Sequence, residues 1–134
     1  EMRAGGETIM AFASVEPGNS YHVKVSVALF GGLHTGISLP QSGRSQMNRG
    51  QPWTVVSGPS ARPGTWGGHA MGVFSYDQDW IYFATWGRIQ KATWQWWESY
   101  CDESYAIISQ DWLTNNMAPN GFDLASLQQD LAVV

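Results

Sequence analysis

The stretch "GTWGGHAMGVFSYDQDWIYFATWG", Gly64–Gly87, decides how this chain is read. Two runs of alternating apolar residues, His69–Tyr76 and Trp80–Trp86, flank the short polar turn Asp77-Gln78-Asp79. That pattern predicts an antiparallel β-hairpin. Such a hairpin sets the start of its first strand beside the end of its second. His69 is therefore expected next to Ala84, Thr85 and Trp86. Gly67 and Gly68 leave room in front of the ring for another backbone or side chain. A neutral imidazole can take and return a proton near physiological pH, so His69 is the candidate general base. A packed, purely structural histidine fits the same pattern. His22 and His34 lack a glycine-rich approach and a nearby partner, and are expected to be structural or exposed.

The flanking segments extend the β reading. "ETIMAFASV", Glu7–Val15, reads as a strand, and "EPGNS" as a turn. Asn19 or Ser20 could cap a helix running to Phe30 and ended by Gly31-Gly32, although the valines of "YHVKVSVALF" favour a strand. "LHTGISLP", Leu33–Pro40, reads as a strand stopped by proline. Gln41–Gln51 reads as a polar loop, "PWTVVSG" as a short strand and "PSARPGTWGG" as a second loop. Beyond the hairpin, "KATWQWWESYCDES" reads as a helix capped by Thr93. Trp94 and Trp97 share one face of it, while Trp96 points elsewhere. Ser104–Leu113 reads as a last strand, and Asp123 as the cap of a short final helix with Leu124, Leu127 and Leu131 on one side.

Composition bounds the function. The 134 residues suit one domain with a true core. Only 13% are charged and eight are tryptophan, which predicts extensive burial or an apolar contact surface. The net charge of −4 and the thin spread of seven basic residues give nucleic-acid binding little support. No membrane span or signal peptide is visible. The single cysteine, Cys101, cannot form an internal disulfide. No Cys/His cluster has metal-ligand spacing, and no cofactor is expected. The chain opens on Glu1 rather than Met, which allows for a leftover residue, a cleavage or an upstream region.

The histidine-to-tryptophan segment "GGHAMGVFSYDQDWIYFATWG" resembles that of papain-like cysteine peptidases. From Ile9 to Leu131 the chain resembles, more closely, a group of papain-like proteins of actinobacteria and their phages. The matching pieces are "AFASV", "LFGG", "GISLP", "PWTVV", "GGHA", "TWG", "TWQWW", "SYAIISQDWL" and "FDLASL". The resemblance implies an α+β chain: the C-terminal, β-barrel-like half of a papain-like fold with a few short helices, one domain over 1–134. It implies that His69 falls on the general base and Trp86 on the tryptophan that shields the partner orienting the histidine. Trp66, Gly67 and Gly68 would then border the cleft where substrate binds.

Two departures matter. The family's orienting asparagine, two residues before the tryptophan, is Ala84 here, and Thr85 is the adjacent group that could take the role. The nucleophilic cysteine belongs to the family's N-terminal half, which this chain does not match. Cys101 has Glu98, Asp102 and Glu103 near it in sequence, which would raise a thiol's pKa, and it reads as a structural residue. Three readings follow. The chain is the histidine half of a peptidase whose cysteine half lies elsewhere, acting on a peptide substrate only when paired. Alternatively it is an inactive scaffold that binds another protein, for example in a phage particle. Or it is a self-sufficient β-rich domain whose aromatic residues are core alone. Its expected place is the cytoplasm or a virion.

Overall fold

The structure, a computed structural model, describes residues 3–4 and 7–109. In chain order these form β1 (Arg3–Ala4), β2 (Glu7–Ser14), α1 (Ser20–Phe30), β3 (Leu33–Leu39), α2 (Gln41–Asn48), β4 (Gly67–Tyr76), β5 (Trp80–Thr85), β6 (Arg88–Thr93), α3 (Trp94–Tyr100) and β7 (Cys101–Ser109). A single 3-10 turn, Pro59–Ala61, interrupts the loop before β4. The expected turn and helix around Asp123 lie outside the described residues, as does the end of the expected last strand. Two compact units divide the chain: Glu1–Phe12 with Ile107–Val134, and Ala13–Ala106. In the first, β1 pairs antiparallel with the start of β2. The second carries the hairpin.

Within the second unit the strands lie in the order β7-β3-β4-β5-β6, all antiparallel. The β4–β5 hairpin forms where the alternation placed it, and Asp77 accepts the backbone N–H groups of Asp79 and Trp80 to close its turn. The segment after Asn19 is a helix. The Asn19 side chain accepts the N–H of His22 at 3.1 Å, and Gly31 closes the helix at φ 76°, a conformation that suits glycine. Val23 and Val27, four residues apart, are the helix's buried positions, so packing overrides the strand preference of valine.

Five expectations are corrected. The sheet is open and is not a barrel. Closure would need a strand on the outer edge of β6, but Trp53 occupies it as an isolated bridge, donating to Lys91 O and accepting from Thr93 N–H. "PWTVVSG" is therefore a single bridging residue within a loop. Gln41–Asn48 is a helix, whose buried positions are Ser42, Gly43 and Gln46. "RIQKAT" is a strand, whose buried positions are Gln90 and Ala92 while Ile89 is 68% exposed. And Trp96 does not face solvent: Trp96 and Trp97 are both fully buried, and Trp94 is the partly exposed member of the trio.

The core lies on one face of the sheet, where Ile37, Leu39, Met71, Val73, Ile81 and Phe83 meet the helices. Its centre is aromatic. Trp53 stacks on Trp96 at 4.6 Å, and Phe83 packs edge-on to Trp96 and stacked on Trp97. Each such pair contributes about 1 kcal/mol beyond its buried area. The Trp53 indole also donates to Gly43 O, and the Trp97 indole to Pro17 O. These bonds fasten α2 and the turn before α1 to the same cluster. No helix of the described residues is long and apolar enough to cross a membrane.

Candidate active site

His69 stands near the start of β4, on the face it shares with Met71 and Val73. Directly across β3 it opposes Ile37. On β5, buried Ile81, Phe83 and Thr85 face the same side. The hairpin thus brings two of the expected residues together: His69 Nε2 and Thr85 Oγ1 are 2.8 Å apart, a hydrogen bond whose donor depends on the imidazole tautomer. Ala84 lies on the opposite face of β5, exposed, paired with Gly72 on one side and Ile89 on the other. A side chain at position 84 would point away from the imidazole, and position 85 is the one that reaches it. The bond to Thr85 commits Nε2 and leaves Nδ1 as the nitrogen available for chemistry.

Trp86 covers the ring. Its indole lies almost parallel to the imidazole, 9° between planes and 4.0 Å between centroids. It gets there through an unusual turn. Thr85 and Arg88 are an opposed pair, so β5 and β6 are joined by Trp86-Gly87 alone. Both residues have positive φ, 44° and 69°. This is the backbone of a type I′ turn, for which asparagine and glycine are the usual occupants. Trp86 is the one non-glycine residue with positive φ among the described residues. A side chain held there costs about 1–2 kcal/mol. Trp86 remains 48% exposed, so the ring is not placed for burial alone.

Trp66 extends the stack: its ring lies 5.0 Å from that of Trp86, at 29°. Its backbone N–H donates to Leu39 O. The preceding Thr65 hydroxyl donates to Arg62 O and accepts the N–H of Gln41, the first residue of α2. Gly67 (φ 134°) and Gly68 have open space where a Cβ would stand. The resulting site is a half-buried imidazole, bonded through one nitrogen, covered on one face, and approached past two glycines. Burial holds the His69 pKa below the ordinary histidine value, which favours the neutral, proton-accepting ring. A shallow hollow of about 370 Å³ at the turn is lined by Ala84, Thr85, Gly87, Arg88 and Ile89, without His69.

The other titratable candidates fall elsewhere. Asp77 serves the turn at the far end of the hairpin and accepts the Tyr82 hydroxyl at 2.6 Å; that bond holds its carboxyl below the usual range. His22 and His34 are exposed. Cys101 opens β7 and, like His69, pairs with Ile37, but from the opposite side of β3. Two strand spacings, about 10 Å, therefore separate the two backbones. Burial, with the carboxylates of Asp102 and Glu103 adding to it, pushes the thiol up to about 12. Among the described residues no group of His, Cys, Asp and Glu could hold a metal ion.

Sequence reasoning missed the support beneath Trp66. Its signal was present as Pro40 before "QSGRSQMNR" and Gly50 after it, the proline-first, glycine-last order that brackets helices. Comparison with protein-family models, with curated proteins and with solved structures finds no match to this chain.

Proposed function

We propose that this chain supplies the general-base half of a papain-like cysteine peptidase site, with His69 as the base. The single observation that carries the reading is the imidazole bonded through Nε2 to Thr85 Oγ1 beneath the Trp86 indole. With Nε2–H donating to Thr85, the Nδ1 lone pair is free to take a proton from a thiol. Thr85 then orients the ring, and Trp86 keeps water from competing for the bond. The ring next returns the proton to the leaving amine of the peptide, as acid–base catalysis in acyl transfer requires. The thiol comes from a polypeptide segment other than these 134 residues. Their one cysteine has a thiol pushed to about 12 and sits across β3 from the base.

The test is to isolate the tagged chain with its partners from its native source and treat the sample with an epoxide that alkylates activated thiolates. Mass spectrometry then identifies the labelled cysteine. The expected result is one labelled cysteine on a co-purifying or continuous segment, with labelling lost in His69→Ala and reduced in Thr85→Val. No labelled cysteine, or labelling indifferent to His69→Ala, overturns the reading. Either outcome would favour the scaffold reading.

A further inference from the structure

A tryptophan at a type I′ turn position is an expensive choice where asparagine or glycine would close the same turn. What the indole does at position 86 is stack, on His69 at 4.0 Å and on Trp66 at 5.0 Å. Both neighbours stand on anchored backbone, His69 within β4 opposite Ile37. His69 has one side-chain hydrogen bond, to Thr85. Trp66 sits on a loop fastened at three consecutive residues. Gly64 N–H donates to Ser38 O, the Thr65 side chain caps α2, and Trp66 N–H donates to Leu39 O. Trp66 thus stands on an anchored backbone, with its indole 5.0 Å from the half-exposed indole of Trp86.

We infer that Trp66 is a positioning residue for His69 that acts through Trp86. It holds the Trp86 indole flat against the imidazole, which fixes the ring plane and keeps Nε2 on Thr85 Oγ1. Without Trp66 the indole loses its backing, and the imidazole loses the cover that holds Nε2 against Thr85 Oγ1. Trp66 touches no reacting atom in this scheme. The inference concerns the placement of the ring and is separable from the peptidase reading, because it holds for the chain with or without a thiol partner.

Imidazole ¹⁵N chemical shifts at pH 7.5 distinguish the two neutral tautomers and decide the matter on the 134-residue chain alone. The wild-type ring is expected to show one dominant tautomer, protonated at Nε2. In Trp66→Ala the two nitrogen shifts converge toward the averaged values of a free imidazole, and Trp66→Phe, which keeps a flat ring, restores the wild-type pattern. The inference is overturned if the wild-type ring is already averaged. It is also overturned if folded Trp66→Ala keeps the wild-type shifts. Should Trp66→Ala fail to fold, Trp66→Leu takes its place: averaged shifts support the role, and wild-type shifts overturn it. A failed thiol-labelling experiment leaves these readings unchanged, so the two proposals fall separately.

Discussion

His69 is half-buried against Trp86, and burial disfavours its cation. The consequence for stability has a definite sign. The unfolded histidine titrates near 6.5 and the folded one below that. Between the two values the unfolded chain binds more protons, so stability rises with pH across that window. The contribution is therefore full above about 6.5 and is lost as pH falls through the folded value. His69→Gln removes the titrating group and keeps a polar side chain within reach of Thr85. Urea unfolding of both proteins at pH 7.5 and 5.5 isolates the effect, since every other group cancels in the difference. The wild type is expected to lose more stability on acidification than His69→Gln. Equal losses would mean that the ring is solvated like a free histidine and that burial does not disfavour its cation.

At the scale of elements, the junction of α1 and β3 makes the sharpest demand on sequence. A Cβ at Gly32 would stand 2.6 Å from Val73 O, a backbone atom that cannot swing aside. Gly32→Ala should therefore destabilise the chain by about 2 kcal/mol, as overpacking does. Gly18→Ala, whose nearest neighbour is a flexible Glu16 carboxylate at 3.6 Å, serves as the control with little change. Thermal or urea unfolding checks both, and a Gly32→Ala variant as stable as the control would refute the packing argument. This junction was legible in the chain as Gly31-Gly32 after an apolar run, and so was the hairpin, whose period-two alternation matches its burial. What was not legible follows one rule. In α2 the buried side chains are polar: Gln46 bonds Thr54 through both ends of its amide, Ser42 Oγ has no hydrogen-bond partner among the described residues, and the backbone Gly43 O takes the Trp53 indole N–H. In β6 the pattern is inverted, with Gln90 bonded to Gln51 O in the interior while Ile89 faces water. Hydrophobic periodicity cannot see burial achieved by hydrogen bonding. The site divides along the same line. The meeting of His69 with Thr85 follows from hairpin register, but the stack on Trp86 depends on a positive φ at a bulky residue, which no propensity anticipates.

For the molecule as a whole, the peptidase reading proposed for His69 turns on where a nucleophile would come from. The sequence holds one cysteine, and the fold places it at the start of β7 with β3 between it and His69. A thiolate nucleophile needs a nearby positive charge or a helix N-terminus to lower its pKa. Cys101 has the reverse on every count. It follows the C-terminal end of α3, it packs against the core, and its sequence neighbours are Asp102 and Glu103. Its thiol donates to Glu103 O at 3.3 Å. With the pKa pushed up to about 12, only about one thiol in ten thousand is ionised at pH 8. Native protein mixed with an aromatic disulfide reagent at pH 8 should therefore release almost no chromophore, while the urea-unfolded chain reacts fully in the same time. The ratio of the two initial rates is expected to exceed a hundred, given an unfolded thiol near 8.5. A native thiol that reacted as fast as the unfolded one would return the nucleophile to this chain. It would also require Cys101 to leave the place it holds against the core.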